Sequence, residues 1–396
     1  MEYTELNCIA NIVSGYAIPS CDMTNEGTAI IKITNIREDG TLDLINTARY
    51  NKPITDKLKK FLLREKDIVV CMTGATIGKV ARILKIDQDY IVNQRVAIIR
   101  AKNPELQDFV FQILTLPTFR KYVEIVGYGA AQPNISANAI GKYKFLNSGD
   151  ISIQRRIASI LSAYDNLIEN NNRRIHLLEQ MAENLYKEWL AYHNIVESSK
   201  EIRLTDIVSI HRGLSYSSEE IECEEGNDLI NLKNIQAFGG FRLDGTKKYN
   251  GKYKAEQVVK EGDLVMGVTD MTQDRRTVGS VALIPNISNL SVISADLIKL
   301  ESTIDNVFLY AMFRWGNVSK YISQFANGAN VLHLRPQILK NINVLLPKKE
   351  LIDQYVSTVK PMIETINKLN TETANLTRQR DLLLPRLMSG KLEVNA

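Results

Sequence analysis

Ile153-Gln154-Arg155-Arg156-Ile157-Ala158-Ser159-Ile160-Leu161 opens a stretch in which apolar residues recur at three- and four-residue spacings. It continues through Tyr164, Leu167, Asn171, Ile175, Leu178, Met181 or Ala182, Leu185 and Trp189. Neither Gly nor Pro interrupts residues 151–193. The period is helical, and the stripe is too narrow for a helix sunk in a globular core, so it predicts a coiled-coil seam. From Ile153 to Trp189 the helix would cover 37 residues, roughly 55 Å at about 1.5 Å per residue. A thinner, more polar seam runs through Ile352, Val356, Val359, Ile363, Ile366, Asn370, Thr373, Leu376, Leu383 and Leu387, with Pro385 and Gly390 marking its end. The two are expected to pack antiparallel on each other. Each carries an Asn at a corresponding place, and a polar seam residue costs stability but fixes register, so Asn171 opposite Asn370 is a candidate alignment device. The competing expectation is that both are simply solvated.

What precedes each seam is β-rich, and it is written twice at an offset of about 199 residues. Ile33-Thr34-Asn35-Ile36 is echoed by Leu232-Lys233-Asn234-Ile235, and Lys66-Asp67-Ile68-Val69-Val70 by Gly262-Asp263-Leu264-Val265-Met266. Ile77-Gly78-Lys79-Val80-Ala81 answers to Val278-Gly279-Ser280-Val281-Ala282, and Tyr122, Gly129-Ala130, Ile153 and Ile157 to Tyr321, Gly328-Ala329, Ile352 and Val356. Collinear matches with small insertions, such as Met271 to Arg276, imply a duplicated unit and approximate internal twofold symmetry. Strands are expected near Ala29 to Ile33, Ile68 to Met72, Val80 to Leu84 and Arg95 to Ile99, and again near Leu229 to Leu232, Asp263 to Val268, Gly279 to Ile284 and Asp296 to Leu300. The expected fold is α+β. Two mixed α/β domains, 1–150 and 201–347, alternate with helices over 151–200 and 348–396.

Composition narrows the function classes. With 396 residues, 44% hydrophobic and 24% charged, the chain can bury real cores, and its net charge of +4 permits an anionic partner without demanding one. No apolar run is long enough to cross a bilayer and no basic-then-apolar leader opens the chain, so the expectation is a soluble cytoplasmic protein without a membrane partner. Cys8, Cys21, Cys71 and Cys223, with His176, His193, His211 and His333, show no metal-ligand spacing, and the lone thiols read as core residues.

Catalytic motifs fail one by one. Gly74-Ala75-Thr76-Ile77-Gly78-Lys79 resembles a phosphate-binding loop, but only three residues separate its glycines and Val80 stands where Ser or Thr should hold magnesium. No two prolines are adjacent, which removes the Pro-Pro core of amino-methyltransferase motifs, and no GxGxxG or GxSxG occurs. Nor does an acidic residue stand two before a Lys, the spacing of common carboxylate nucleases. No cofactor, metal or catalytic residue is expected.

Polar, basic and aromatic residues instead break the strand pattern at matched places. The first half offers Thr73, Thr76, Lys79, Asn93, Gln94, Arg95, Tyr128, Gln132 and Asn134; the second Thr269, Asp270, Thr272, Gln273, Arg275, Arg276, Asn330, His333 and Arg335. Arg bridges guanine O6 and N7 and Asn or Gln bridges adenine N6 and N7, so the set suits major-groove reading, with Lys79 better placed as a phosphate anchor. Matched loops of different sequence are what two domains reading different DNA sequences on one scaffold require.

These residues carry a family resemblance. Ile153 to Leu161, then Asp165-Asn166-Leu167-Ile168-Glu169-Asn170-Asn171 and Leu185-Tyr186-Lys187-Glu188-Trp189, resemble the central conserved region of type I restriction-modification specificity subunits. Thr73-Gly74-Ala75-Thr76-Ile77-Gly78-Lys79 after Lys66 to Val70, and Glu261 to Met266, resemble their target-recognition domains, and Leu383-Leu384-Pro385-Arg386-Leu387-Met388-Ser389-Gly390 their distal end. The resemblance implies two recognition domains, each reading half of a bipartite site in double-stranded DNA, with the helices setting the gap. It implies no catalysis by this chain. Adenine methylation belongs to two docked methyltransferase (modification) subunits, and ATP-driven translocation with cleavage to a restriction subunit. One departure is that Gly267 to Gly279 replaces the shorter first-half segment. The rival expectations are a coiled-coil adaptor for proteins and a DNA-modifying enzyme with its own active site.

Overall fold

The computed structural model describes residues 2–37, 40–44, 46–128, 133–147, 149–192, 199–221 and 223–394. The chain divides into two compact units, Met1–Leu167 with Thr377–Ala396, and Ile168–Leu376.

In unit 1 a four-stranded antiparallel sheet has the order Ala10–Ser14, Val96–Ala101, Ile68–Cys71, Val80–Arg82. A second sheet places Thr28–Ile31 parallel to Tyr90–Val92. The unbroken apolar run Ile68-Val69-Val70-Cys71 follows from its central position, because alternate side chains of a strand face opposite sides and here both sides are covered. Ile68 and Val70 join the cluster under helices α1 (Gln107–Thr115) and α2 (Pro117–Gly127), while Val69 and Cys71 join the cluster of the second sheet. The sequence reading located these strands to within a few residues but did not place α1 or α2, whose continuous apolar face looks like strand in short windows.

Unit 2 repeats the scheme. Val208–Arg212, Leu297–Ser302, Leu264–Gly267 and Val281–Leu283 form the antiparallel sheet in that order, and Asn227–Ile230 runs parallel to Ser291–Ile293. Leu264 and Met266 face the larger cluster and Val265 the other.

The residues shared by the two halves of the sequence are the scaffold's. Asp67 accepts from the Arg64 backbone N–H and from Arg100 Nε and Nη2 at 2.8 and 2.6 Å; Asp263 accepts from the Lys260 N–H and holds Lys299 Nζ at 2.8 Å. Asn35 and Asn234 are both buried, each accepting a backbone N–H three residues earlier and donating to the loop that follows. Gly78 and Gly279 turn the chain with φ of +79° and +80°, a conformation that favours glycine.

Two long helices complete the fold, α3 (Ile151–Tyr192) ahead of unit 2's strands and α6 (Lys349–Met388) at the end; α4 (Asn306–Arg314) and α5 (Val318–Ser323) lie between them in sequence. Within unit 1, Ile157, Ala158 and Leu161 of α3 share a core with Leu384, Leu387 and Met388 of α6. Within unit 2, Ala182 and Tyr186 share one with Tyr355, Val356 and Val359, so the pairing runs antiparallel. The molecule is therefore α+β, with two mixed units of matching topology and two long helices.

Three expectations are corrected. Ile168 is buried and Leu167 is exposed: eleven residues from Ile157 make about three helical turns, which keeps Ile168 rather than Leu167 on the packed face, while of the two alternatives further on Ala182 is the buried one. Pro385 lies within α6, close enough to its end that the missing N–H interrupts only the last turns, and Gly390 follows with φ +69°. Of the four thiols only Cys71 is fully buried; Cys8 and Cys21 are exposed and Cys223 is half-buried.

Candidate nucleic-acid interface

Each unit gathers three loops on a frame of backbone bonds. In unit 1 the Met72 N–H donates to the Arg95 carbonyl at 2.9 Å, Ile135 N–H to the Met72 carbonyl at 2.9 Å, and Gly74 N–H to the Pro133 carbonyl at 3.0 Å. Unit 2 uses the same pattern: Val268 N–H to the Asp296 carbonyl and Leu334 N–H to the Val268 carbonyl, both at 2.8 Å. Because main-chain groups make the frame, side chains on the loops are left to vary.

The frame sorts the candidate residues. Thr73 bridges Asn134, and the Thr73 and Thr76 hydroxyls are turned into the interior. Asn93 is buried and its Oδ1 accepts the Arg95 N–H, which leaves Gln94 and Arg95 exposed at the turn. Lys79 is half-buried; Asn134 is exposed, and Tyr128 stands 82% exposed just beyond α2. Gln132 lies outside the described residues, as do Gly129, Ala130 and His193.

In unit 2, Thr269–Asp270 pairs antiparallel with Leu332–His333. Thr269 is buried and its hydroxyl donates to Asp296 Oδ1 at 2.8 Å. Thr272, Gln273, Arg275, Arg276, Asn330, His333 and Arg335 are all exposed. Gln273 Nε2 reaches the Ala329 carbonyl at 3.0 Å, joining two of the loops, and Arg276 pairs with Asp274.

The longer loop is ordered by Asp270, which was expected to face the groove but turns inward. Its side chain is almost fully buried. One carboxylate oxygen accepts the Thr272 N–H and hydroxyl at 2.8 Å each, and the other accepts the N–H groups of Thr277 at 2.6 Å and Val278 at 3.3 Å. Burial alone would push this carboxyl up, but the bonds from Thr277 and Thr272 outweigh it and hold it below its ordinary value of 3.8. Asp270 therefore closes an insertion of exposed residues into a fixed loop, within which Arg275 takes a left-handed φ of +53°.

Each unit is also clamped to its stretch of α3 by charge. In unit 1, Asp165 accepts from Gln112 Nε2 at 2.7 Å and Arg380 Nη1 at 3.1 Å, with buried Arg82 at 3.6 Å. In unit 2, Glu179 accepts from Arg314 Nη1 at 2.9 Å, and that guanidinium also meets the Tyr310 hydroxyl and the Trp315 ring. Neither clamp was visible in the sequence, since its members lie far apart along the chain. Of the two seam asparagines, Asn171 is 3% exposed and its Nδ2 has no hydrogen-bond partner, whereas Asn370 is half-buried.

A model of the type I restriction modification DNA specificity domain matches the chain twice, over residues 17–180 and 197–378. The chain belongs to the type I restriction-modification DNA specificity family. The MjaIX specificity subunit of Methanocaldococcus jannaschii is 23% identical, over 96% of this chain and 91% of that protein. The HindI specificity subunit of Haemophilus influenzae is 22% identical, over 78% and 84%. In fold, the chain is similar to the crystal structure of the type I restriction-modification S subunit from M. genitalium, with a TM-score of 0.61, 17% identity and coverage of 98% of this chain and 95% of that one. Among the described residues no helix is long and apolar enough to cross a membrane, and no group of three or more His, Cys, Asp or Glu is arranged to hold a metal ion.

Proposed function

We propose that this chain selects the DNA target of a type I restriction-modification complex without catalysing a step itself. Each recognition domain, residues 1–150 and 201–347, reads one half of a bipartite duplex site through its loop cluster. The observation that carries this reading is the common backbone frame with different side chains. It presents Gln94, Arg95 and Tyr128 in one unit and Gln273, Arg275 and Arg276 in the other. Such donors and acceptors suit base edges and phosphates.

The helices, within 151–200 and 348–396, set the unspecified gap and dock two modification subunits. Exposed Leu167, Leu177 and Met181 on α3 and Leu382 on α6 supply apolar surface for that docking. A restriction subunit with an ATP-dependent translocase completes the complex, which works in the cytoplasm. For the register of the helix pair, the rings of Tyr186 and Tyr355 lie 5.6 Å apart. In an antiparallel pair, fifteen residues back along α3 and fifteen forward along α6 lead to Asn171 and Asn370. That register brings the buried Asn171 amide level with Asn370, which supports an alignment role.

The test is single-molecule sequencing of adenine methylation in the host, with and without this chain. A split motif methylated on both strands and lost on deletion is expected. Unchanged methylation despite an assembled complex would refute the assignment and favour a protein adaptor.

A further inference from the structure

Phe238 combines two features that a folded protein normally avoids in one residue. Its side chain is 67% exposed, and its φ of +64° is left-handed, a rare conformation for a bulky side chain. Nothing about the segment is loose. The Phe238 N–H donates to the Arg276 carbonyl at 2.8 Å, and the same carbonyl accepts the Ser280 hydroxyl at 2.9 Å. Gly239 N–H closes on the Gln236 carbonyl at 3.0 Å and Gly240 N–H on the Val281 carbonyl at 2.9 Å. Gly239 and Gly240, which follow it, add no side chain of their own to the turn. A strained, water-facing aromatic is thus held on the backbone of the segment that exposes Arg275 and Arg276.

We propose that Phe238 reads a thymine, packing its ring against the C5-methyl group in the half-site contacted by unit 2. This inference rests on the loop cluster being the DNA-reading surface. The methyl is the apolar feature of an otherwise polar major groove, and an aromatic ring is a side chain suited to it. The neighbouring arginines bring the polyanion to the same place and favour guanine, so ring and guanidinium groups together describe adjoining positions of one half-site. Phe carries no hydroxyl to exchange bonds with a base edge, which leaves apolar contact as its means of discrimination.

The test uses the full chain assembled with its modification subunits. Bound duplexes selected from a random-sequence library define the site, and each thymine of the second half-site is then replaced by deoxyuridine, which lacks only the methyl. Wild type is expected to lose about fourfold in affinity at one position, the worth of one buried methyl group. Phe238→Ala and Phe238→Gly are expected to bind more weakly and to lose that sensitivity alone. Glycine suits the left-handed turn, so this variant keeps its thermal midpoint and separates contact from folding. Unchanged deoxyuridine sensitivity in both variants would overturn the role of Phe238. If Arg275→Ala and Arg276→Ala also left the second half-site's preference intact, the DNA-reading surface itself would be misassigned and the inference would fall with it.

Discussion

The loop clusters of the two units hang on equivalent backbone bonds but are stiffened differently. Unit 1 uses a short turn, Thr73–Lys79, with its hydroxyls turned inward and an exposed tyrosine at the end of α2. Unit 2 inserts residues into the same turn, gathers them on the carboxylate of Asp270, and exposes arginines and Phe238. Main-chain bonds and buried pairs such as Asp67–Arg100 keep the frame, so the reading side chains can change without unfolding it.

The largest effect is expected on that frame. Asp67→Ala leaves Arg100 without its forked partner and should cost about 3 kcal/mol in a denaturation experiment. Asp263→Ala removes a single Lys299 contact and should cost visibly less. Equal losses would mean that the two scaffolds are not stiffened as described.

Asp270→Asn has no counterpart in unit 1. It sets an amide against four donors and should cost about 2 kcal/mol, changing the preference for the second half-site only. The pH dependence has a definite sign. A carboxyl whose folded value is lowered contributes stability above its unfolded value near 3.8, and loses that contribution as pH falls through the lower folded value. Acid titration of the wild type should show this phase and Asp270→Asn should lack it; a variant retaining it would reassign the phase.

Arg275→Ala or Arg276→Ala should weaken DNA binding by about 1 to 3 kcal/mol if the side chain meets a guanine edge, again for one half-site. Affinity and preference both unchanged would strike that residue from the reading set. Smallest of all, Asn171→Leu should raise the melting temperature by the equivalent of about 1 kcal/mol while blurring the preferred gap between half-sites. A stabilised variant with an equally sharp gap would show that Asn171 plays no part in register.

Much of the frame was legible in the sequence because its determinants are local. Asp67 and Asp263 precede their strands at matched positions, and the seam of α3 is a period that a single segment displays. The face of that seam was read one residue off at Leu167, since neighbouring apolar residues compete for a stripe and only packing chooses. Helices α1 and α4 were missed because their windows are short and largely apolar, with only Asp108, Gln112 and Thr115 marking the period in the first and Asn306 and Arg314 bounding the second. In the candidate site, residue types did not disclose direction. Thr73, Thr76, Asn93 and Thr269 carry useful groups but turn them inward, while Asp270 and Phe238 act through bonds to residues several to many positions away. The Phe238-Gly239-Gly240 turn was the one local signal for Phe238.

The central claim is that each unit reads its own half of the target. It is tested most directly by sequencing adenine methylation in a host whose chain carries both Arg275→Ala and Arg276→Ala. The account predicts a motif relaxed or altered in one half, with the other half and the gap unchanged. Changes in both halves, or a motif identical to the wild type's, would contradict it.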